Sequence, residues 1–109
     1  MATKKFKPAQ KISVNNFIQY QAGCVVSQEI IKKPTGTVTV FAFAKGQGLS
    51  EHVAPFDALV YILDGTVKIT IAKKPFVLTA GSLIVMPAHK PHALSALTAF
   101  KMMLVMVRS

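Results

Sequence analysis

The chain has 109 residues, of which 51% are hydrophobic, and its formal net charge is +9. This length fits one domain, and this apolar content excludes a disordered chain, because burial of the apolar surface offsets the entropy lost on ordering. The charge does not indicate a nucleic-acid surface, because the lysines are scattered over the leading residues and turn segments, with no interleaved aromatic side chains.

The leading residues are basic, and no apolar stretch follows them, so the sequence predicts no signal peptide. We expect a mobile arm over residues 1–11 and a single domain over residues 12–109. A segment at residues 16–21 is ambiguous and could be helical. The one cysteine, Cys24, cannot form an internal disulfide and favours a cytoplasmic protein. No apolar run approaches the roughly 18 residues of a membrane-spanning helix, so we expect no membrane association.

Two segments alternate polar and apolar residues with the period of a β-strand. The first, Gly36 to Ala44, is rich in β-branched and aromatic residues. The second, Thr66 to Ile71, places Val67 and Ile69 on one face and its polar residues on the other. Both are predicted to be strands, and the second has one face in solvent.

Turn signals separate further short apolar runs. Asp64-Gly65 predicts a two-residue hairpin, and Lys73-Lys74-Pro75 predicts a second one. The runs Phe76–Leu78, Leu83–Met86 and Phe100–Val107 are predicted to be strands. Short strands at this spacing are typical of an antiparallel sandwich or barrel, so the sequence predicts an all-β domain.

Two segments, residues 46–65 and 81–92, resemble the two sequence motifs of the cupin family. The residues that fall on the fixed positions of these motifs are Gly46, His52, Gly65, Gly81, Pro87 and His92. Two motifs in the right order are far more specific than one alone. The resemblance implies a jelly-roll barrel, also called a double-stranded β-helix, with a pocket inside one end.

The sequence departs from the cupin pattern at the positions that bind metal in many members. The resemblance places a second histidine and a glutamate where this chain has Ala54 and Ala58, and an asparagine where it has Ala96. A transition metal in such a pocket normally needs at least three protein donors. Only His52 and His92 remain in position, so a divalent transition metal is one alternative and a metal-free pocket is the other.

Two residues are candidates for a third metal ligand. Asp57 lies one position from the missing glutamate, and a β-bulge could turn it inward. His89 lies in the turn before His92 and could reach the pocket mouth. Glu51 is expected to point away from the pocket, because it neighbours His52 on a strand.

Alternation along the strands predicts which side chains line the pocket, because residues that share parity with His52 should point inward. Tyr61 and Phe41 are expected to point outward. The predicted pocket residues are His52, Ala54, Ala58, Val60, Ile62, Met86, His92 and Met102.

Three functions are consistent with these features. The first is a small-molecule binding protein whose apolar pocket orients its ligand through His52 and His92. The second is a metal-dependent isomerase or dioxygenase with the same histidines as ligands. The third is an interaction protein that associates through its outer strands. We expect a homodimer, because outward apolar residues favour burial against a second copy of the chain. No nucleophile with a base and an orienting partner is evident, which disfavours a hydrolase.

Overall fold

The computed structural model describes residues 7–108, and the first six residues of the expected arm lie outside this range. No helix in this range is long and apolar enough to cross a bilayer. The elements are α1 (Val14–Phe17), β1 (Val25–Lys33), β2 (Gly36–Phe43), β3 (Gly48–His52), β4 (Asp57–Asp64), β5 (Thr66–Ile71), β6 (Lys74–Thr79), β7 (Leu83–Met86), β8 (His92–Ala96) and β9 (Phe100–Val107).

The strands of the described range form two antiparallel sheets that pack face to face. The five-stranded sheet has the order β1-β2-β9-β4-β7, and the four-stranded sheet has the order β3-β8-β5-β6. The core lies between them, where the rings of Phe43 and Phe100 stack with centroids 4.5 Å apart. This arrangement confirms the all-β jelly-roll barrel.

The alternation of β5 is confirmed, since Val67 and Ile69 are fully buried while Lys68 is exposed. The hairpin between β5 and β6 is also confirmed, but its turn is not the predicted one. Ile71 pairs with Lys74, so Ala72 and Lys73 form the two-residue loop, both with positive φ. This is the conformation of a type I′ turn, which matches the twist of the flanking strands.

The hairpin predicted at Asp64-Gly65 is wrong, because β4 and β5 belong to different sheets. The chain turns at Gly65, where φ is +78°, and passes from one sheet to the other. A Cβ atom at Gly65 would overlap the carbonyl oxygen of Ala99. Glycine is therefore needed here for a close crossing of two chain segments.

The outward direction predicted for Phe41 is wrong as well. Phe41 pairs with Met102 and packs against the core, whereas Tyr61 is exposed as expected. The neighbours of Phe41 in β2, Val40 and Ala42, point to the outer face of the sheet. They are buried there beneath the segment that precedes β1.

This preceding segment, residues 12–20, covers one end of the outer face of the five-stranded sheet. It contains the four-residue helix α1, which begins earlier than the ambiguous segment at residues 16–21. Ile18 is buried against Val40 and Ala42. Lys101, which points to the same face, donates from its Nζ to the Asn15 carbonyl oxygen at 2.6 Å.

Tyr20 anchors the end of this segment. Its hydroxyl donates to the Asp64 carboxylate at 2.5 Å, and the Lys101 ammonium lies 4.8 Å from its ring centroid. Burial, together with the hydrogen bond and the charge of Asp64, raises the pKa of Tyr20 well above its usual value. The phenol therefore stays protonated and remains a donor at neutral pH.

We expect Tyr20→Phe to lower the free energy of unfolding by about 1 to 2 kcal/mol, because it removes a hydrogen bond to a charged acceptor. Urea denaturation of Tyr20→Phe, Asp64→Asn and the double variant measures the coupling between the two side chains. If the two substitutions had strictly additive effects on the free energy of unfolding, the hydrogen bond would not contribute to stability.

Candidate ligand site

The first candidate residue, His52, owes its direction to a bulge in β3. Leu49 pairs with Leu94 and His52 pairs with His92, so three steps along β3 match two steps along β8. In a regular strand, residues three apart point to opposite faces. The extra residue lets Leu49 and His52 both face the space between the sheets. Glu51, which is expected to point away from the pocket, is exposed.

His52 and His92 therefore stand directly opposite each other on neighbouring strands. Their ring centroids are 4.2 Å apart and the rings meet edge to face at 71°. His92 is buried, whereas His52 is exposed at the open side of the site. The pair thus extends from the interior of the barrel to its surface.

The protonated nitrogen of each ring is fixed by a backbone carbonyl. His52 Nδ1 lies 2.8 Å from the Ser50 carbonyl oxygen, and His92 Nδ1 lies 3.3 Å from that of Lys90. A carbonyl oxygen can only accept a hydrogen bond, so each Nδ1 carries the proton and donates. In each neutral ring, Nε2 is then left as an acceptor with a free lone pair.

Burial, and secondarily the neighbouring His52, lower the pKa of His92 from its ordinary value of 6.5. The hydrogen bond to the Lys90 carbonyl acts in the opposite direction but is the smaller effect. His92 is therefore neutral at pH 7, and its Nε2 is available as an acceptor.

A cavity of about 60 Å³ adjoins the two rings. Apart from the histidines, its lining is entirely apolar. The lining residues are Leu49, His52, Ala54, Ala58, Met86, His92, Leu94, Met102, Leu104 and Met106. The cavity thus offers two imidazoles in apolar surroundings.

Six of the eight residues predicted for the pocket meet around this cavity; they are His52, Ala54, Ala58, Met86, His92 and Met102. Val60 and Ile62 point inward, as their parity requires, but they do not line the cavity. They are fully buried in the packed core, farther along β4. Alternation along a strand predicts the face to which a side chain points. It does not predict whether that side chain lines the cavity or lies in the packed core.

The two candidates for a third metal ligand do not join the histidines. The Asp57 carboxylate accepts a hydrogen bond from the Ala88 backbone N–H at 2.8 Å and is exposed. His89 is also exposed, in a turn with φ of +67°. Within residues 7–108, no three side chains from His, Cys, Asp and Glu are grouped closely enough to hold a metal ion.

Four residues of the lining, Leu49, Leu94, Leu104 and Met106, are not among the eight predicted pocket residues. Leu49 was missed because the bulge is invisible in the sequence, and Leu94 because β8 has no clear pattern. Met106 could have been found, since it follows Met102 and Leu104 at period two along β9.

Comparison with known proteins places this geometry in a family. The sequence model of the cupin domain matches residues 39–108. A comparison with curated proteins finds no match.

Several solved structures are similar. The conserved protein SPY1581 of unknown function from Streptococcus pyogenes has 34% identity and a TM-score of 0.92, over 100% of this chain and 96% of that chain. A cupin 2 conserved barrel domain protein from Leptotrichia buccalis has 40% identity and a TM-score of 0.82, over 85% of this chain. The match spans only 45% of that longer chain. A cupin superfamily protein from Desulfitobacterium hafniense has 25% identity and a TM-score of 0.90, with both chains covered in full.

The lowered pKa of His92 predicts that acid destabilises the fold. The unfolded chain takes up this proton near pH 6.5, whereas the folded chain takes it up only at lower pH. The free energy of unfolding should therefore fall as the pH drops below 6.5, until the folded imidazole is itself protonated. Between pH 7.5 and 5, urea denaturation should show that the free energy of unfolding falls less for His92→Gln than for the wild type. An equal loss in both proteins would contradict this assignment.

Proposed function

The chain belongs to the cupin family, and we propose that it is a binding module whose cavity holds one end of a small molecule through His52 and His92. The observation that carries this proposal is the pair of Nε2 acceptors in an otherwise apolar cavity. An imidazole nitrogen with a free lone pair can accept a hydrogen bond from a ligand that carries a donor.

The chemistry of the lining suggests the class of ligand. Two Nε2 acceptors favour a hydroxyl or N–H donor, and the aliphatic and thioether side chains favour an apolar body next to it. The cavity, at about 60 Å³, is far below the roughly 300 to 1,000 Å³ of sites that enclose a drug-sized ligand. The ligand would therefore insert its donor end and leave the rest at the open side, beside the exposed His52.

A metal-dependent enzyme is the alternative, and the described residues do not fit it well. Two imidazoles supply two donors, whereas a tightly held transition metal normally has at least three from the protein. The Asp57 carboxylate is engaged by the Ala88 N–H. Ala54 and Ala58, which do line the cavity, carry no donor atoms. The geometry thus favours ligand binding over metal-dependent chemistry.

We expect the site to prefer phenol over toluene, which have similar shapes but differ in the hydroxyl donor. One hydrogen bond to a neutral imidazole corresponds to about a tenfold difference in affinity. Chemical-shift titration of the wild-type protein with each probe measures this difference, with the changes expected at residues lining the cavity.

The same titrations with two variants test the role of the histidines. His92→Phe keeps an aromatic ring but removes one of the two acceptors, so it should reduce the preference for phenol. His89→Asn is the matched control, because His89 lies outside the cavity and asparagine tolerates its positive φ. Equal affinities for the two probes in the wild type, or loss of the preference in His89→Asn alone, would refute the proposed role.

Metal analysis separates the two functions most directly. The wild-type protein should bind a divalent transition metal weakly, with less than one ion per chain. Ala54→His together with Ala58→Glu adds two donors at positions that line the cavity beside His52 and His92. The affinity should then rise by several powers of ten, provided that both side chains fit without strain.

Elemental analysis and calorimetric titration of both proteins check this expectation. One tightly bound metal per wild-type chain, lost in His52→Ala, would show that another residue completes the ligand set. That result would overturn the binding-module proposal in favour of the metal-dependent alternative.

A further inference from the structure

We infer that the open end of the barrel binds a carboxylate on the part of the ligand that protrudes from the cavity. Each of the two sheets carries one cation at this end, Arg108 directly after β9 and Lys74 at the start of β6. The inference rests on the proposed function and adds a charge to the outer end of the ligand. The end inside the cavity remains a neutral donor.

Arg108 lies just beyond the cavity on the five-stranded sheet. Met106 and Ala58 pair with each other, and both line the cavity. Arg108 follows Met106 by two residues, and Phe56 precedes Ala58 by two. Alternation continued beyond each strand places both side chains toward the cavity, and the guanidinium carbon is indeed 5.5 Å from the Phe56 ring centroid. The Arg108 backbone N–H donates to the Thr35 carbonyl oxygen at 2.7 Å, which fixes this end of the chain.

Lys74 has a corresponding position on the four-stranded sheet. One row of directly paired residues crosses β3, β8, β5 and β6; it consists of His52, His92, Ile71 and Lys74. Directly paired residues share a face, so Lys74 ends the row that carries both imidazoles. Its ammonium lies 5.4 Å from the ring centroid of Phe76, which packs against the core. Each sheet therefore holds its cation near the mouth through an aromatic ring.

Positive charge prevails at this end of the barrel. Further lysines lie at the end of β1, in the turn between β5 and β6 and in the loop between β7 and β8; they are Lys32, Lys33, Lys73 and Lys90. Of the four acidic residues of the chain, Asp64 is bonded to Tyr20 and Asp57 accepts the Ala88 N–H. Glu51 is exposed on β3, and Glu29 lies on the edge strand β1. An excess of one charge around a cleft with apolar walls concentrates ligands of the opposite charge.

The ligand that fits both parts of the site has two different polar ends. Its neutral donor would bind Nε2 of His52 or His92, and its carboxylate would lie near Arg108, whose guanidinium can bind both oxygens. The two ends would be roughly 7 Å or more apart, the distance between Met106 and Arg108 along an extended chain. The apolar body between them would contact the apolar lining of the cavity. This chemistry describes a hydroxylated carboxylic acid with a small apolar body.

Two probes that differ only in charge test the mouth. para-Hydroxyphenylpropionate has a hydroxyl and a carboxylate at opposite ends, and its primary amide has a similar shape without the charge. In chemical-shift titrations of the wild-type protein at low salt, the carboxylate should bind about fivefold more tightly than the amide. High salt should reduce this ratio, because it screens exposed charges.

Variants of the two cations test which charges are responsible. Arg108→Gln should reduce the ratio, and Arg108→Gln with Lys74→Gln should bring it close to one, while the affinity for the amide stays unchanged. Lys68→Gln with Lys45→Gln is the matched control, because it removes the same charge from exposed positions elsewhere. Lys68 points outward from β5, and Lys45 lies in the connection between β2 and β3. The control should retain the wild-type ratio.

The outcomes separate this inference from the proposed function. Equal affinities of the carboxylate and the amide in the wild type would overturn the inference. An equal loss of the ratio in the control would overturn it as well, because net charge alone would then explain the preference. In either case, a retained preference for phenol over toluene would leave the proposed function standing. If phenol and toluene bound equally, the proposed function would fail, and the inference with it.

Discussion

The pairing of β3 with β8 is the constraint on which the candidate site depends. These two strands place His52 opposite His92, and the bulge after Leu49 turns His52 toward the cavity. The strands approach closely at Gly48, where a Cβ atom would overlap the Leu94 carbonyl oxygen. A larger residue at this position would push β3 away from β8 and separate the two imidazoles. The site is therefore a consequence of strand geometry as much as of the two histidines.

The electrostatics of the site follow from the same pairing. Two imidazoles 4.2 Å apart, one of them buried, disfavour a proton on His92. No carboxylate among the described residues that line the cavity compensates a positive charge there. The lysines, the arginine and the carboxylates of the described residues thus lie outside the cavity lining. A cavity without such charges favours a neutral ligand group over an ion. This agrees with the alanines at positions 54 and 58, which line the cavity and carry no metal-donor atoms.

The sequence was sufficient for the fold because two motifs and the clear alternation of β5 agree with each other. It was insufficient where the local pattern is irregular. The strand β1 was missed because it lies at a sheet edge and has a bulge between Glu29 and Ile31, which interrupts its alternation. Asp64-Gly65 has the composition of a hairpin, but its role as a crossing between sheets is decided by packing against Phe100. For the site, alternation along the strands identified the inward-pointing residues. It could not distinguish residues that line the cavity from core residues such as Val60.

The proposed binding site depends on an Nε2 acceptor in each of the two imidazoles that line the cavity. Two-dimensional ¹⁵N–¹H correlation spectra of histidine-labelled protein at pH 7.5 report the tautomer of each ring directly. We expect the neutral form of each ring to carry its proton on Nδ1 and a free lone pair on Nε2. A proton on Nε2 of either neutral ring would contradict this expectation, because that nitrogen could no longer accept a hydrogen bond from a ligand.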